Sequence, residues 1–319
     1  MKKILATALT AAMVASLCAV PAMAEEQTYN VGICQLVQHV ALDAATQGFK
    51  DALVEELGDA VVFDDQNAQG DPNTCATIVN TFVSNGVDLI LANATPALQA
   101  AAAATNEIPI LGTSITEYGV ALEIEEFDGT VGGNISGTSD LAPLTEQAAM
   151  LADLFPVADY PTVGLLYCSA EANSQYQVDT VMAALAEMGY ECELYAFSDS
   201  NDLQSVATAA NDASSVIYVP TDNTVASNAE LLNNVCYGQT PVIAGEEGIC
   251  AGCGVATLSI SYYDLGYGTG KMAARVLQGE DISTMPIEYA PQFTKKYNPA
   301  NCEALGVEIP EDYVAIEAE

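Results

Sequence analysis

Gly86-Val-Asp-Leu-Ile-Leu-Ala-Asn-Ala-Thr-Pro-Ala-Leu-Gln-Ala-Ala101 is the stretch on which the reading of this chain turns. Residues 87–92 form an almost wholly apolar run, the pattern of a buried strand, and pass directly into a helix whose first positions are Thr95 and Pro96. Threonine at an N-cap accepts a hydrogen bond from a free first-turn amide, and proline next to it gives up an amide that has no helical partner. Such a junction leaves several amides at the end of a buried strand, where they attract a carboxylate or another anion. A capped helix without a ligand fits the same residues, so the stretch acquires a function only from its surroundings.

Working outward, the same unit repeats. On the amino-terminal side, residues 28–34 read as an entering strand, and Ala41, Leu42, Ala45, Phe49, Leu53 and Leu57 mark one face of a helix. A second strand spans 60–63, and Asp71-Pro72 repeats the cap-plus-proline signal before a helix carrying Cys75, Ile78, Val79 and Phe82. Beyond the opening stretch, 108–111 and 120–124 read as short strands, and the glycine-rich run 129–137 breaks the pattern. A second series follows: strands at 162–168, 191–197, 215–219, 241–244 and 255–260, with helices at 174–188, 202–213 and 222–235. A helix at 263–277 and a tail after Ile282 come last. Strand and helix alternating at this spacing predict right-handed β-α-β units, hence an α/β protein of two doubly wound parallel-sheet lobes.

The first residues, Met-Lys-Lys, an apolar run over 4–20 and Ala22-Met-Ala24, have the form of a secretory signal peptide cut after Ala24. Cys18 offers lipid anchoring as an alternative, but Leu17 fits poorly as the small residue that precedes a lipidated cysteine. The expected location is therefore exported, periplasmic or associated with the cell surface. Without Lys2 and Lys3, five basic residues (Lys50, Lys271, Arg275, Lys295 and Lys296) face 43 acidic ones. That balance repels phosphate backbones and anionic lipid, which excludes nucleic acid as a partner. An anionic ligand would have to be held by local amide dipoles and hydroxyls. Of the nine cysteines, eight lie beyond the signal, several inside apolar strand patterns where cysteine acts as a small hydrophobe. Cys250-Ala-Gly-Cys253 has no second pair, and the single histidine, His39, is distant in sequence; a local disulfide or free thiols are expected there rather than zinc.

Familiar catalytic and cofactor patterns fail on inspection. There is no G-x-S-x-G elbow. Gly266-Tyr-Gly-Thr-Gly-Lys271 lacks P-loop spacing, and Met272 stands where a hydroxyl must bind magnesium, so packing is its better reading. Residues 65–70 resemble a calcium loop, yet the twelfth position falls on Ala76, where a bidentate glutamate is required. No cofactor, metal or enzymatic activity is expected. What remains is a set of polar residues at the carboxyl ends of strands, where open α/β sheets bind ligands. The first lobe contributes Gln38, His39, Thr95, Thr113 and Ser114; the second contributes Asn173, Ser174, Asp222, Asn223, Glu246 and Glu247. Hydroxyls and helix amides on one side and carboxylates on the other suit the two ends of a zwitterion.

Several segments together carry a resemblance: Val31-Gly-Ile-Cys-Gln-Leu-Val-Gln-His39, Gln66-Asn-Ala-Gln-Gly-Asp71, Ala94-Thr-Pro96, Gly132-Gly-Asn-Ile-Ser-Gly-Thr-Ser-Asp140, Glu171-Ala-Asn-Ser174, Pro220-Thr-Asp-Asn-Thr224 and Gly245-Glu-Glu247. The chain looks like the TrpX-type substrate-binding proteins of ABC transporters from about residue 30 to 278. It departs from them at Val40, where relatives commonly carry an acidic residue, and in lacking a lipobox. The resemblance implies a type I periplasmic-binding fold whose lobes, joined by three crossings, close on a ligand. It assigns 25–137 with about 257–283 to one lobe, and 138–256 with about 284–319 to the other. It also implies import of an amino acid, aromatic and tryptophan-like, by a monomer that serves an ABC permease and its ATPase. A sensor or autoinducer receptor of the same fold, or a receptor for a nucleoside or sugar, is the alternative. Carried over by position, Thr95 and Ser114 would hold the ligand carboxylate, and Asp222 or Glu247 the ammonium. Tyr118, Tyr167, Tyr176 and Tyr262 are the candidate ring walls.

Overall fold

The computed structural model describes residues 28–317, so the expected signal segment 1–24 lies outside them. The first series of elements is β1 (Tyr29–Gln35), α1 (Val40–Leu57), β2 (Val61–Asn67), α2 (Pro72–Asn85), β3 (Leu89–Asn93), α3 (Thr95–Ala104), β4 (Ile110–Ile115), the short α4 (Tyr118–Ala121) and β5 (Ile135–Ser139). The second runs α5 (Leu144–Leu154), β6 (Thr162–Cys168), α6 (Ala172–Glu187), β7 (Glu191–Phe197), α7 (Ser200–Ala213), β8 (Val216–Val219), α8 (Asn223–Ala226), α9 (Ala229–Cys236), β9 (Val242–Ala244), α10 (Glu247–Cys253) and β10 (Ala256–Ser259). Then come α11 (Tyr262–Leu277), β11 (Glu288–Tyr289), β12 (Thr294–Tyr297), α12 (Pro299–Leu305) and β13 (Val314–Ala315).

These strands make two sheets. One has the order β11-β5-β4-β3-β1-β2, parallel throughout. The other has the order β13-β12-β10-β9-β8-β6-β7, with only β12 antiparallel to its neighbour β10. The chain passes between the sheets three times: after β5, after β10 and after β11. Strands β3, β4 and β5 are buried along their whole length, as parallel strands covered by helices on both faces must be. Each sheet carries an apolar core on either side, for example Phe82, Ile90 and Leu98 on one face of the first and Phe49, Leu91 and Met272 on the other.

Helix α11 returns to the first lobe by packing backbone to backbone on α1. A Cβ on Gly266 would lie 1.9 Å from the Ala45 carbonyl oxygen, and one on Gly270 2.5 Å from that of Phe49. Gly266 and Gly270 thus serve helix packing, in line with the packing reading of this glycine-rich stretch.

The structure corrects the sequence reading in four places. Residues 120–124 are not a strand; Glu117 accepts the Val120 amide at 2.5 Å and starts the short helix α4. The fifth strand lies instead in the hydroxyl-rich 135–139, read above as a break. Its polar groups are satisfied by tertiary partners: Ser136 Oγ donates to the Met285 carbonyl at 3.0 Å, and Thr138 Oγ1 lies 2.8 Å from Thr269 Oγ1. The helix expected over 222–235 is broken into α8 and α9 around Ser227 and Asn228. Helices α5 and α10 were not anticipated; Cys250 and Cys253 lie on the latter, and both are free thiols. Among the described residues, no helix is long and apolar enough to cross a membrane.

Candidate functional site

The first lobe presents two strained junctions side by side. Ala94, between β3 and α3, has φ 88°, and Ser114, near the end of β4, has φ 56°. Non-glycine residues hold such conformations at a cost of about 1–3 kcal/mol each, and they concentrate where geometry serves a ligand. The two are tied together, since the Ala94 amide donates to the Thr113 carbonyl at 3.1 Å. Ala94 rather than Thr95 is the N-cap of α3; Thr95 and Pro96 fill the first turn, and no side chain caps this helix end. The first-turn amides that the sequence suggested are present, but the threonine occupies a different position among them.

Four buried carboxylates lie on the facing segments: Asp140, Glu171, Asp222 and Glu246. Three of them are saturated by backbone amides. Asp222 is the N-cap of α8, with Oδ1 accepting the Val225 amide at 2.9 Å and Oδ2 the Cys168 amide at 2.7 Å. Burial, reinforced by the nearby Glu171, pushes its pKa up to about 8. Glu246 caps α10 through the Gly248 and Ile249 amides at 2.6 and 2.5 Å; burial pushes it up to about 7. Glu171 accepts the amides of Asn223 and Thr224 at 3.1 and 2.9 Å. Glu247 is engaged differently, in an ion pair with Lys296 at 2.6 Å.

Asp140 has no such arrangement. It follows β5 on the first crossing, and its own amide donates to the Ile115 carbonyl at 3.1 Å, beside Ser114. One carboxylate oxygen accepts the Tyr262 hydroxyl at 2.8 Å, while the other is buried without a partner. Burial raises its pKa, offset in part by the Tyr262 hydroxyl and by that of Thr116, which lies nearby without making a hydrogen bond of regular geometry to it. Ser114 Oγ and Asn173 Oδ1 are likewise buried and unpartnered, as is His39 Nδ1. Buried polar atoms in folded proteins nearly all find partners, so these four are candidates for ligand contacts; Asn93, Asn211, Asn233 and Thr257 carry unpartnered side-chain atoms as well.

The remaining candidates divide. Thr113 Oγ1 lies 3.3 Å from the Thr138 hydroxyl, in the network that ties β4 and β5 to α11. Ser174, fully buried, accepts from Asn173 Nδ2 at 3.3 Å. His39 and Asn223 meet across the lobes, with Nε2 and Oδ1 3.3 Å apart. Gln38 stands apart from this group: it is exposed and lines a polar hollow of about 300 Å³ together with Asp43, Thr46 and Lys50. Of the four tyrosines, Tyr118 and Tyr167 belong to the cores, Tyr176 lies at the edge of the second, and Tyr262 contacts Asp140. A separate groove of about 370 Å³ takes its walls from both lobes, including Leu36, Pro72 and Pro96 on one side and Cys168, Glu171 and Asn223 on the other. Neither hollow is lined by Ser114, Asp140 or Tyr262. The residue sequence reasoning missed is Asp140, although it closes one of the segments that carry the resemblance.

Residues 30–319 match the family described as ABC transporter substrate binding protein. The chain is 36% identical over 265 residues to a tyrosine-binding protein of Clostridioides difficile, covering 81% of this chain and 75% of that one. It superposes with a TM-score of 0.84 on an ABC domain from Streptococcus pneumoniae in complex with L-Trp, at 32% identity over 89% of this chain and 96% of the other. Its TM-score is 0.69 against the ligand-free, open structure of a substrate-binding protein with adhesive properties from C. difficile, at 34% identity over 92% of this chain and 100% of that one. This chain belongs to the ABC transporter substrate-binding family and has the type I periplasmic-binding fold. Members of that family are extracytoplasmic proteins that bind a small molecule and deliver it to a permease; theirs is a binding role, not an enzymatic one.

Proposed function

We propose that this protein is an exported receptor of an ABC importer that binds an aromatic amino acid between its lobes and, as a monomer, presents it to a permease driven by an ATPase. The observation that carries the reading is Asp140, a buried carboxylate with one oxygen unpartnered, on a segment whose backbone bonds to Ile115, next in sequence to Ser114 with its own unpartnered hydroxyl. An α-ammonium group bound there gives the carboxylate its missing partner. The ligand carboxylate then falls to Ser114 and the uncapped amides of α3, in a protein whose Lys50, Lys271, Arg275, Lys295 and Lys296 are all engaged in ion pairs with acidic side chains. This moves the ammonium contact from Asp222 and Glu247, whose oxygens are committed to amides and to Lys296, onto Asp140.

The aromatic class rests on the relatives, one called tyrosine-binding and one bound to L-Trp. Micromolar affinity requires roughly −8 kcal/mol. Burying an aromatic side chain supplies about 2 to 3 of that, so the charged ends must contribute much of the rest. At similar identity the chain superposes better on the L-Trp complex than on the open, ligand-free protein, in keeping with the His39–Asn223 contact across the lobes. Thermal-shift titration of ligand-free protein with amino acids, nucleosides and sugars tests the class of ligand. Tyrosine or tryptophan should raise the melting temperature; a rise with a sugar or nucleoside and none with any amino acid would overturn the reading.

A further inference from the structure

Two cysteines of the first lobe, Cys34 on β1 and Cys75 on α2, are fully buried free thiols in one apolar core. The fold brings them to the same place. Alternate residues of a strand face opposite sides of its sheet. Val31 and Ile33 accordingly pack with Phe49 and Met272 of α1 and α11, whereas Cys34 and Leu36 pack with Cys75, Val79 and Phe82 of α2. Two contacts bracket the cysteines. Nearer the start of β1, Phe82 covers Gly32 so closely that a Cβ there would lie 2.6 Å from its ring. Beyond the end of the strand, the Gly70 amide donates to the Leu36 carbonyl at 2.8 Å, just ahead of α2. Helix α2 leads to β3, which is parallel to β1, so the helix runs back along the sheet against the strand direction. Positions 32, 34 and 36 of one segment thus meet 82, 75 and 70 of the other in order. Cys34 lies about 7 Å down the strand from that join, and Cys75 about 5 Å into the helix.

The chemistry of the pair differs from that of the other buried thiols. Cys168, Cys253 and Cys302 donate to the backbone carbonyls of Ser198, Ile249 and Val255 at 3.6, 3.3 and 3.4 Å. Cys34 and Cys75 have each other as partner. The hydrogen bond from the Cys34 thiol draws the pKa of Cys75 down, against burial and the nearby Asp71, while that bond and burial push Cys34 up. Cys75 also stands in the first turn of a 14-residue helix, whose amino-terminal dipole favours a thiolate. Cys75 is therefore the thiol that ionises first, and Cys34 the one that follows.

We propose that Cys34 and Cys75 are a modification site, joined by a disulfide that staples β1 to α2 when the chain folds in an oxidising compartment. Such a compartment is where disulfides persist, and members of this family are extracytoplasmic. The oxidant is another disulfide, of a small molecule or of a protein. The Cys75 thiolate attacks one of its sulfurs, breaking that S–S bond and releasing a thiolate. Cys34, deprotonated in turn, attacks the Cys75 sulfur of the mixed disulfide and releases the second thiolate. Two protein thiols are oxidised, the external disulfide is reduced, and the two protons pass to the leaving thiolates. Both sulfurs are sealed in the folded lobe, so the exchange precedes docking of α2. The bridge closes the chain around α1 and the edge strand β2, which pairs with β1 alone. It also anchors the segment that follows β1, where His39 meets Asn223 of the other lobe. A cross-link closing so long a segment stabilises the fold chiefly by restricting the unfolded chain.

The test is to unfold the protein, refold it in mixtures of reduced and oxidised glutathione, block the remaining thiols and map the unreduced peptides by mass spectrometry. A cross-linked species joining the Cys34 and Cys75 peptides, and separating on reduction, is the expected result. The oxidised protein should melt about 5 °C or more above the reduced one. Cys34→Ala and Cys75→Ala should each abolish that difference between oxidised and reduced samples, whatever their own melting temperatures, and Cys250→Ala should keep it. Both thiols recovered blocked after refolding under oxidising conditions, Cys34 linked to another cysteine, or refolding that succeeds only under reducing conditions would overturn the proposal. The readout is a covalent bond, so a failure to bind amino acids would overturn the receptor reading and leave this one standing.

Discussion

At the residue scale, an acid belongs to the fold or to the ligand according to what its oxygens already hold. Asp222 holds the amides of Val225 and Cys168. Asp222→Ala should therefore read as lost stability, about 1 kcal/mol for the cap and about 1–3 more for a buried amide left unpaired, seen as a lower urea midpoint. Asp140→Asn removes an unneutralised buried charge, so the ligand-free variant should melt no lower than the parent. Its affinity for an aromatic amino acid should nonetheless fall by about 2–5 kcal/mol, at least 30-fold in a calorimetric titration. A large drop in melting temperature with affinity intact would assign Asp140 to the fold. Sequence alone shows acids at strand ends but not which of them are caps, because a cap is defined by an amide several residues on or in another segment, as with Cys168 and Asp222. Asp140 had one readable signal: it is the acid that ends a run of small hydroxylated residues.

At the element scale, the alternation of apolar strands and helices was legible because burial on both faces leaves continuous hydrophobic runs such as that of β3. Strand β5 was not, since Ile-Ser-Gly-Thr-Ser becomes a strand through partners more than a hundred residues away, Thr269 and Met285. Gly137, with φ 146°, also lets the Gly112 backbone and the Tyr118 hydroxyl approach in a way no side chain would permit. The α1–α11 contact supplies a third prediction. Gly266→Ala adds helix propensity worth about 1 kcal/mol, yet its Cβ would meet the Ala45 carbonyl at 1.9 Å. Overpacking of this kind costs about 1–3 kcal/mol, so the net effect should be a lower denaturant midpoint. A midpoint that rises would mean the two helices part more easily than their packing implies.

At the scale of the whole molecule, buried acids couple stability to pH. Burial raises Asp222 from 3.8 to about 8 and Glu246 from 4.5 to about 7. The folded state therefore holds these protons more tightly than the unfolded chain, and stability falls as pH rises between about 4 and about 8. Melting curves of ligand-free protein should show a higher midpoint near pH 5 than near pH 8; a flat or opposite trend would contradict the burial of these groups. The central claim, as proposed above, is that Asp140, Ser114 and the first turn of α3 read both ends of a zwitterion. The most direct measurement is calorimetric titration of ligand-free protein with L-tyrosine and L-tryptophan alongside tyramine and tryptamine, which lack the carboxylate, and 3-(4-hydroxyphenyl)propionate and indole-3-propionate, which lack the ammonium. The predicted result is micromolar or tighter binding of the amino acids, with each truncated analogue weaker by at least 100-fold. Analogues that bind as tightly as the parent amino acids would contradict it.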